Sequence, residues 1–176
     1  MAKAFAQQNK RVLLIDGDLY QPSVHAAFDF SNDKGTANIL TQEVDFNIAI
    51  QASGFENLDL ITAGDFEGEE APAFDGRFIK LLKQVQKNYD VILIDTPPVG
   101  LLTDAIPLME DATANLFVIR KNKTKKREIR RINEFIQHWN LPNVLTVFNG
   151  EKVRRNRARK KYYRKTKTTS LFQKLF

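Results

Sequence analysis

Two short apolar runs, each closed by an aspartate, constrain this chain more than any other feature. Val12-Leu13-Leu14-Ile15 leads into Asp16-Gly17-Asp18, and Val91-Ile92-Leu93-Ile94 leads into Asp95-Thr96-Pro97-Pro98. Four consecutive apolar residues leave no polar face, so each run must be covered on both sides. That pattern suits a strand inside a parallel sheet better than an antiparallel strand with one wet face.

Parallel strands require crossovers, and helical patterns lie between the apolar runs. Residues 2–8 have a helical composition with Asn9 as a stop. Residues 58–62, 116–119 and 144–148 read as further strands. Residues 36–40 make a short helix, and Pro22 with the polar stretch 31–34 marks a loop region. The acidic segment 64–76 is loop-like. Asp75 can cap a helix running to about residue 87, with Phe78, Leu81, Leu82 and Val85 on one face. A short helix over 104–109 contains Pro107, and Thr124 can cap a helix over 125–138. The expected fold is α/β, a mostly parallel sheet with flanking helices, over residues 1–150. Residues 151–176 form a separate basic tail.

Charge is also unevenly divided along the chain. Residues 1–119 hold 8 Lys/Arg against 18 Asp/Glu, a balance of −10. Residues 120–176 hold 19 against 3, a balance of +16, and the two sum to the overall +6. An acidic body thus carries a basic end. There is no cysteine, which excludes disulfides and cysteine-ligated metal. His25 and His138 are far apart, without the spacing of a zinc site. No apolar run approaches the ~20 residues of a membrane span, and no signal peptide is read at the start; a cytoplasmic location is expected.

In doubly wound sheets, ligands bind beyond the carboxyl ends of the strands. Adjacent strands would therefore gather Asp16, Asp18 and Asp95 around one crevice. Carboxylates there suit a hydrated Mg²⁺ on nucleotide phosphates, or proton abstraction from a hydroxyl. An aspartate after a strand also caps turns and helices, and that reading stays open for each residue.

These residues carry a resemblance. "KRVLLIDGDLYQPSVH" resembles the second nucleotide-site motif of the bacterial protein-tyrosine kinases that regulate capsule and exopolysaccharide synthesis, a family of P-loop NTPases. "KNYDVILIDTPPVGLLTDA" resembles their Walker B segment, and "RFIKLLKQVQKNYD" the helix before it. "VFNGEKVRRNRARKKYY" is similar to their last strand and tyrosine-bearing tail. The resemblance implies ATP and Mg²⁺ as cofactors. It implies that Asp95 holds Mg²⁺ through water, that Asp16 assists the metal or acts as base, and that Asp18 supports both. Tyr162 and Tyr163 become phosphate acceptors. It further implies a homo-oligomer when complete, a membrane-embedded activator or polysaccharide co-polymerase, and a location at the inner face of the membrane.

The departures are equally specific. The 176 residues contain no G-x-x-G-x-G-K-S/T loop, so the expected fold lacks the family's first strand and P-loop, and the chain alone is expected to be inactive. Tyr20 and Gln21 stand where the family has Arg and another polar residue. Two other readings remain: a partition-type ATPase with a DNA-binding end, and a non-catalytic remnant. The basic tail suits an anionic membrane surface or a phosphorylation-controlled contact better than nucleic acid.

Overall fold

The computed structural model describes residues 1–66, 71–98 and 105–151. In chain order the elements are α1 (Ala2–Ala6), β1 (Val12–Asp16), α2 (Val24–Phe28), α3 (Thr36–Leu40), α4 (Phe46–Ala49), β2 (Gln51–Ala52) and β3 (Leu58–Ile61). There follow α5 (Gly76–Val85), β4 (Val91–Asp95), α6 (Ile106–Asp111), β5 (Asn115–Arg120), α7 (Lys126–His138) and β6 (Val144–Asn149). The parallel pairings establish an α/β fold with a mostly parallel sheet, as the apolar runs imply.

The main sheet has the order β2-β3-β1-β4. Strand β1 lies at its centre, parallel to β3 on one side and β4 on the other. Alternate side chains of β1 enter two cores, which is why its sequence has no polar position before Asp16. Leu13 and Ile15 point to a layer built with Ile39, Phe46, Ile61 and Phe78 from α3, α4, β3 and α5. Val12 points to the opposite layer with Ala2, Ala6 and Leu58, and Leu14 packs beside it. Strands β5 and β6 form a separate parallel pair. Among the described residues, β4 ends the first sheet and has a neighbour only in β1.

Helix α5 follows its sequence signals closely. The Asp75 side chain accepts the Phe78 N–H at 2.9 Å, a side-chain N-cap. Phe78 is fully buried, with ring centroids 5.8 Å from Phe46 and 5.1 Å from Phe74. Phe78→Ala should cost about 3–5 kcal/mol, from lost transfer energy and the cavity left behind. Urea unfolding checks this; a loss under ~1 kcal/mol would mean that the aromatic cluster is not the core of this layer.

Several local expectations need correction. The loop region around Pro22 contains α2, and residues 46–49 form α4, although neither has the repeated apolar stripe of a long helix. Strand β2 is a two-residue antiparallel edge on β3. Thr124 does not cap α7; its hydroxyl accepts the Arg120 N–H at 2.9 Å. The cap is Lys125, whose N–H donates to Glu128 Oε2 at 2.7 Å. Helix α6 starts at Ile106, with Pro107 in its first turn, where no intrahelical N–H is required. Among the described residues, no helix is long and apolar enough to cross a membrane.

Candidate active site

The register of β1 and β4 pairs Asp16 with Asp95 directly, at the carboxyl ends of adjacent parallel strands. Gly17 follows at once, and its N–H donates to the Asp95 carbonyl at 2.8 Å. A Cβ at position 17 would stand 2.7 Å from that carbonyl oxygen and 3.1 Å from the Phe74 ring. Glycine is therefore required where the chain leaves the strand. Gly17→Ala should destabilise the fold by about 1–3 kcal/mol by forcing the two strand ends apart. An unchanged denaturation midpoint would show that this junction yields freely.

The three aspartates meet different fates. Asp16 is fully buried. Its Oδ2 accepts the N–H groups of Ser23 and Val24 at 3.0 and 2.9 Å, and its Oδ1 accepts that of Asp18 at 3.2 Å. It thereby ties the start of α2 to the end of β1. Asp18 is half-buried and accepts the N–H groups of Tyr20 and Gln21 through Oδ1, at 3.3 and 2.9 Å. Asp95 reaches solvent. Even so, the surrounding protein desolvates its carboxylate, and the charges of Asp16 and Asp18 repel it. Together these raise its pKa, against a smaller opposing hydrogen bond from the Thr96 N–H.

The structure thus brings the three acids into one electrostatic neighbourhood without building a finished metal cage. Among the described residues no three acidic or histidine groups are arranged to hold a metal. Asp16 explains why: its oxygens are turned to backbone amides. The donor set nevertheless fits Mg²⁺, which characteristically takes one or two carboxylates, completing its shell with water and phosphate oxygens. A divalent cation would also relieve the repulsion that disfavours ionised Asp95. Tyr162 and Tyr163 lie outside the described residues.

Behind the crevice, α3 is locked in place by a contact that sequence reading missed. Thr36 is fully buried, and its hydroxyl donates to the Asp16 carbonyl at 2.7 Å. Its N–H donates to Thr62 at 2.9 Å. Gly35 lies so close to β3 that a Cβ there would approach the Thr62 carbonyl to 2.1 Å. The only local signal was Gly-Thr at a helix start, and its partners lie 20 and 26 positions away. Tyr20 is exposed and its hydroxyl accepts the Ala71 N–H at 3.4 Å. Below it lies a cavity of about 20 Å³ lined by Gly17, Leu19, Phe74, Pro97 and Phe135, among others. That is room for one water and not for a nucleotide base. His25 is half-buried in α2, and His138 stacks edge-on against Trp139 at the end of α7.

The comparisons with known proteins agree with this geometry. The AAA-domain family model matches residues 1–141. The tyrosine-protein kinase YwqD of Bacillus subtilis is 33% identical over 154 residues, covering 87% of this chain. The kinase domain of the Escherichia coli tyrosine kinase ETK superposes with a TM-score of 0.78 at 26% identity, over 88% of this chain. This chain belongs to the bacterial tyrosine-kinase family of P-loop NTPases. As a member of that family it spans 65% of the YwqD length and 62% of the ETK domain. The septum-site-determining protein MinD of Pyrococcus horikoshii, in complex with Mg-ADP, shares the fold at 20% identity and a TM-score of 0.61.

Proposed function

We propose that this chain is the greater part of a tyrosine autokinase that uses MgATP to phosphorylate its own tail and thereby regulates capsule or exopolysaccharide synthesis. One observation carries the reading: Asp16 and Asp95 stand in register at the mouths of adjacent parallel strands, and Asp95 is the acid left facing solvent. The likeness to named tyrosine kinases over most of the chain supports it.

The residues divide the work. Asp95 would hold Mg²⁺ through water, and the ion would supply charge neutralisation at the phosphates. Asp16, engaged by three amides, adds fixed negative charge beside the metal and holds α2. Asp18 accepts both its bonds through Oδ1, so its second oxygen is better placed to take the proton of an incoming tyrosine hydroxyl. The acceptors are Tyr162 and Tyr163, between Lys160-Lys161 and Arg164-Lys165. The tail, with 11 Lys/Arg against one Glu over residues 151–176, is attracted to the acidic residues 1–119 at −10, within one chain or between copies. Each phosphate adds about −1.5 to −2 charges, so the modified tail leaves and a tail-linked oligomer loosens. The activator is a membrane-embedded co-polymerase, which places the protein at the inner face of the membrane.

The test uses a version that begins with the strand and glycine-rich loop, incubated with MgATP and its activator. Mass spectrometry is expected to find phosphate on Tyr162 or Tyr163. Both tyrosines unmodified in an otherwise active protein would remove the acceptor assignment. Salt-sensitive DNA binding with no phosphotyrosine would instead favour a partition-type ATPase.

A further inference from the structure

The turn after β5 and the start of α7 hold seven Lys or Arg within residues 121–131. All seven are exposed. The one acid among them, Glu128, is turned back to the helix start, where it accepts the Lys125 N–H. Among the ion pairs of the described residues, only Lys121 of this group has a partner, Glu151.

Stability does not account for the arrangement. Lys125, Lys126 and Arg127 sit at the amino end of a 13-residue helix, where the helix dipole is already positive. Cations there oppose the helix they begin. A local rule broken without structural gain is expected where a surface serves binding.

The neighbourhood is also apolar. Residues directly opposite in a parallel pair share a face, so Leu116, Leu145 and Val118 line one side of the β5–β6 pair, and all three are exposed. That side runs on to Arg120 at the strand end. On the other side, Phe148 is 59% exposed. It pairs with Ile119, one step before Asn149 receives the Lys121 N–H at 2.8 Å. Cations bordered by an exposed aromatic ring match a bilayer interface, where headgroups neutralise charge and the acyl boundary covers apolar surface. A nucleic acid would satisfy the charges and leave Phe148 wet.

We infer that the β5–α7 turn, with Phe148 beside it at the end of β6, is a docking surface for an anionic lipid bilayer. The inference deepens the proposed membrane-peripheral location and rests on it. It assigns the contact to the folded body as well as to the tail.

The test is sedimentation of the full chain with vesicles of phosphatidylcholine, alone or mixed with phosphatidylglycerol, with duplex DNA as a parallel probe. Binding is expected on the anionic vesicles only. Replacing Lys123, Lys125 and Arg127 by Gln should weaken it about a hundredfold. Phe148→Ser should weaken it about tenfold. Neither variant should melt lower than the parent, since the first removes cations from the helix start. An equal neutralisation in the tail, at Arg154, Arg155 and Arg157, controls for net charge. If only the tail variant loses binding, the docking surface is wrong and the membrane location stands. If no variant or parent chain binds, both fall. Duplex DNA bound more tightly than vesicles, and unaffected by Phe148→Ser, would assign the surface to nucleic acid and overturn the inference.

Discussion

Asp95→Asn is expected to melt higher than the parent chain at pH 7 and to abolish tail phosphorylation in the version with the glycine-rich loop. Both effects have one cause. Burial and the charges of Asp16 and Asp18 hold the Asp95 pKa above its ordinary value in the folded state. Folding therefore favours the protonated form, and the ionised carboxylate destabilises the fold at neutral pH. Its contribution to stability is fully present below the unfolded pKa and is lost as pH rises through the folded one. An amide carries no such penalty, so the gain from Asp95→Asn should be complete above the folded pKa. It should shrink as pH falls through the folded pKa and vanish below about pH 4. Mg²⁺ should narrow the gap by stabilising the parent and leaving the variant unmoved. An acid retained against the stability of its own fold is a mark of a functional site. A variant that melts lower at pH 7, or labels its tail as well as the parent does, would remove Asp95 from the metal site.

The second large effect concerns nucleotide binding. A polypeptide of these 176 residues is expected to bind MgATP with a dissociation constant no tighter than millimolar. The carboxylates that serve a metal are present, but phosphate recognition in this fold class depends on glycine-loop amides, a lysine and the helix start behind them. No such loop occurs in the 176 residues. The acidic crevice repels phosphates on its own. Adding a strand and a G-x-x-G-x-G-K-S/T loop ahead of residue 1 should bring affinity to the micromolar range, a gain of about a thousandfold or 4 kcal/mol. The melting midpoint should rise as well, because β4 has a neighbour only in β1 among the described residues. Calorimetry with Mg²⁺ measures the first effect and a thermal scan the second. Micromolar binding by the shorter polypeptide would show that the aspartates and the basic turn hold phosphate without the loop.

The sequence by itself determined the two neighbouring strands that carry the acids, and their ends. Continuous apolar runs at 12–15 and 91–94 have one stable use, burial on both faces, and the acid that ends each run must emerge at the carboxyl edge. The cap at Asp75 and the apolar stripe of α5 were legible for the same reason, since both depend on residues within a few turns of each other. The tertiary structure decided everything that depends on a distant partner. Three equivalent-looking aspartates became a buried tie to α2, a turn cap and a solvent-facing acid, because only the β1–β4 register and the return of the chain at Ser23 fix where each carboxylate points. Thr36 gained its role from a carbonyl 20 residues away. Thr124 lost its expected cap because the turn after β5 brought the Arg120 N–H to its hydroxyl first. Local patterns specify which segments are buried and how they are wound; hydrogen bonds between segments are set only when packing chooses their register.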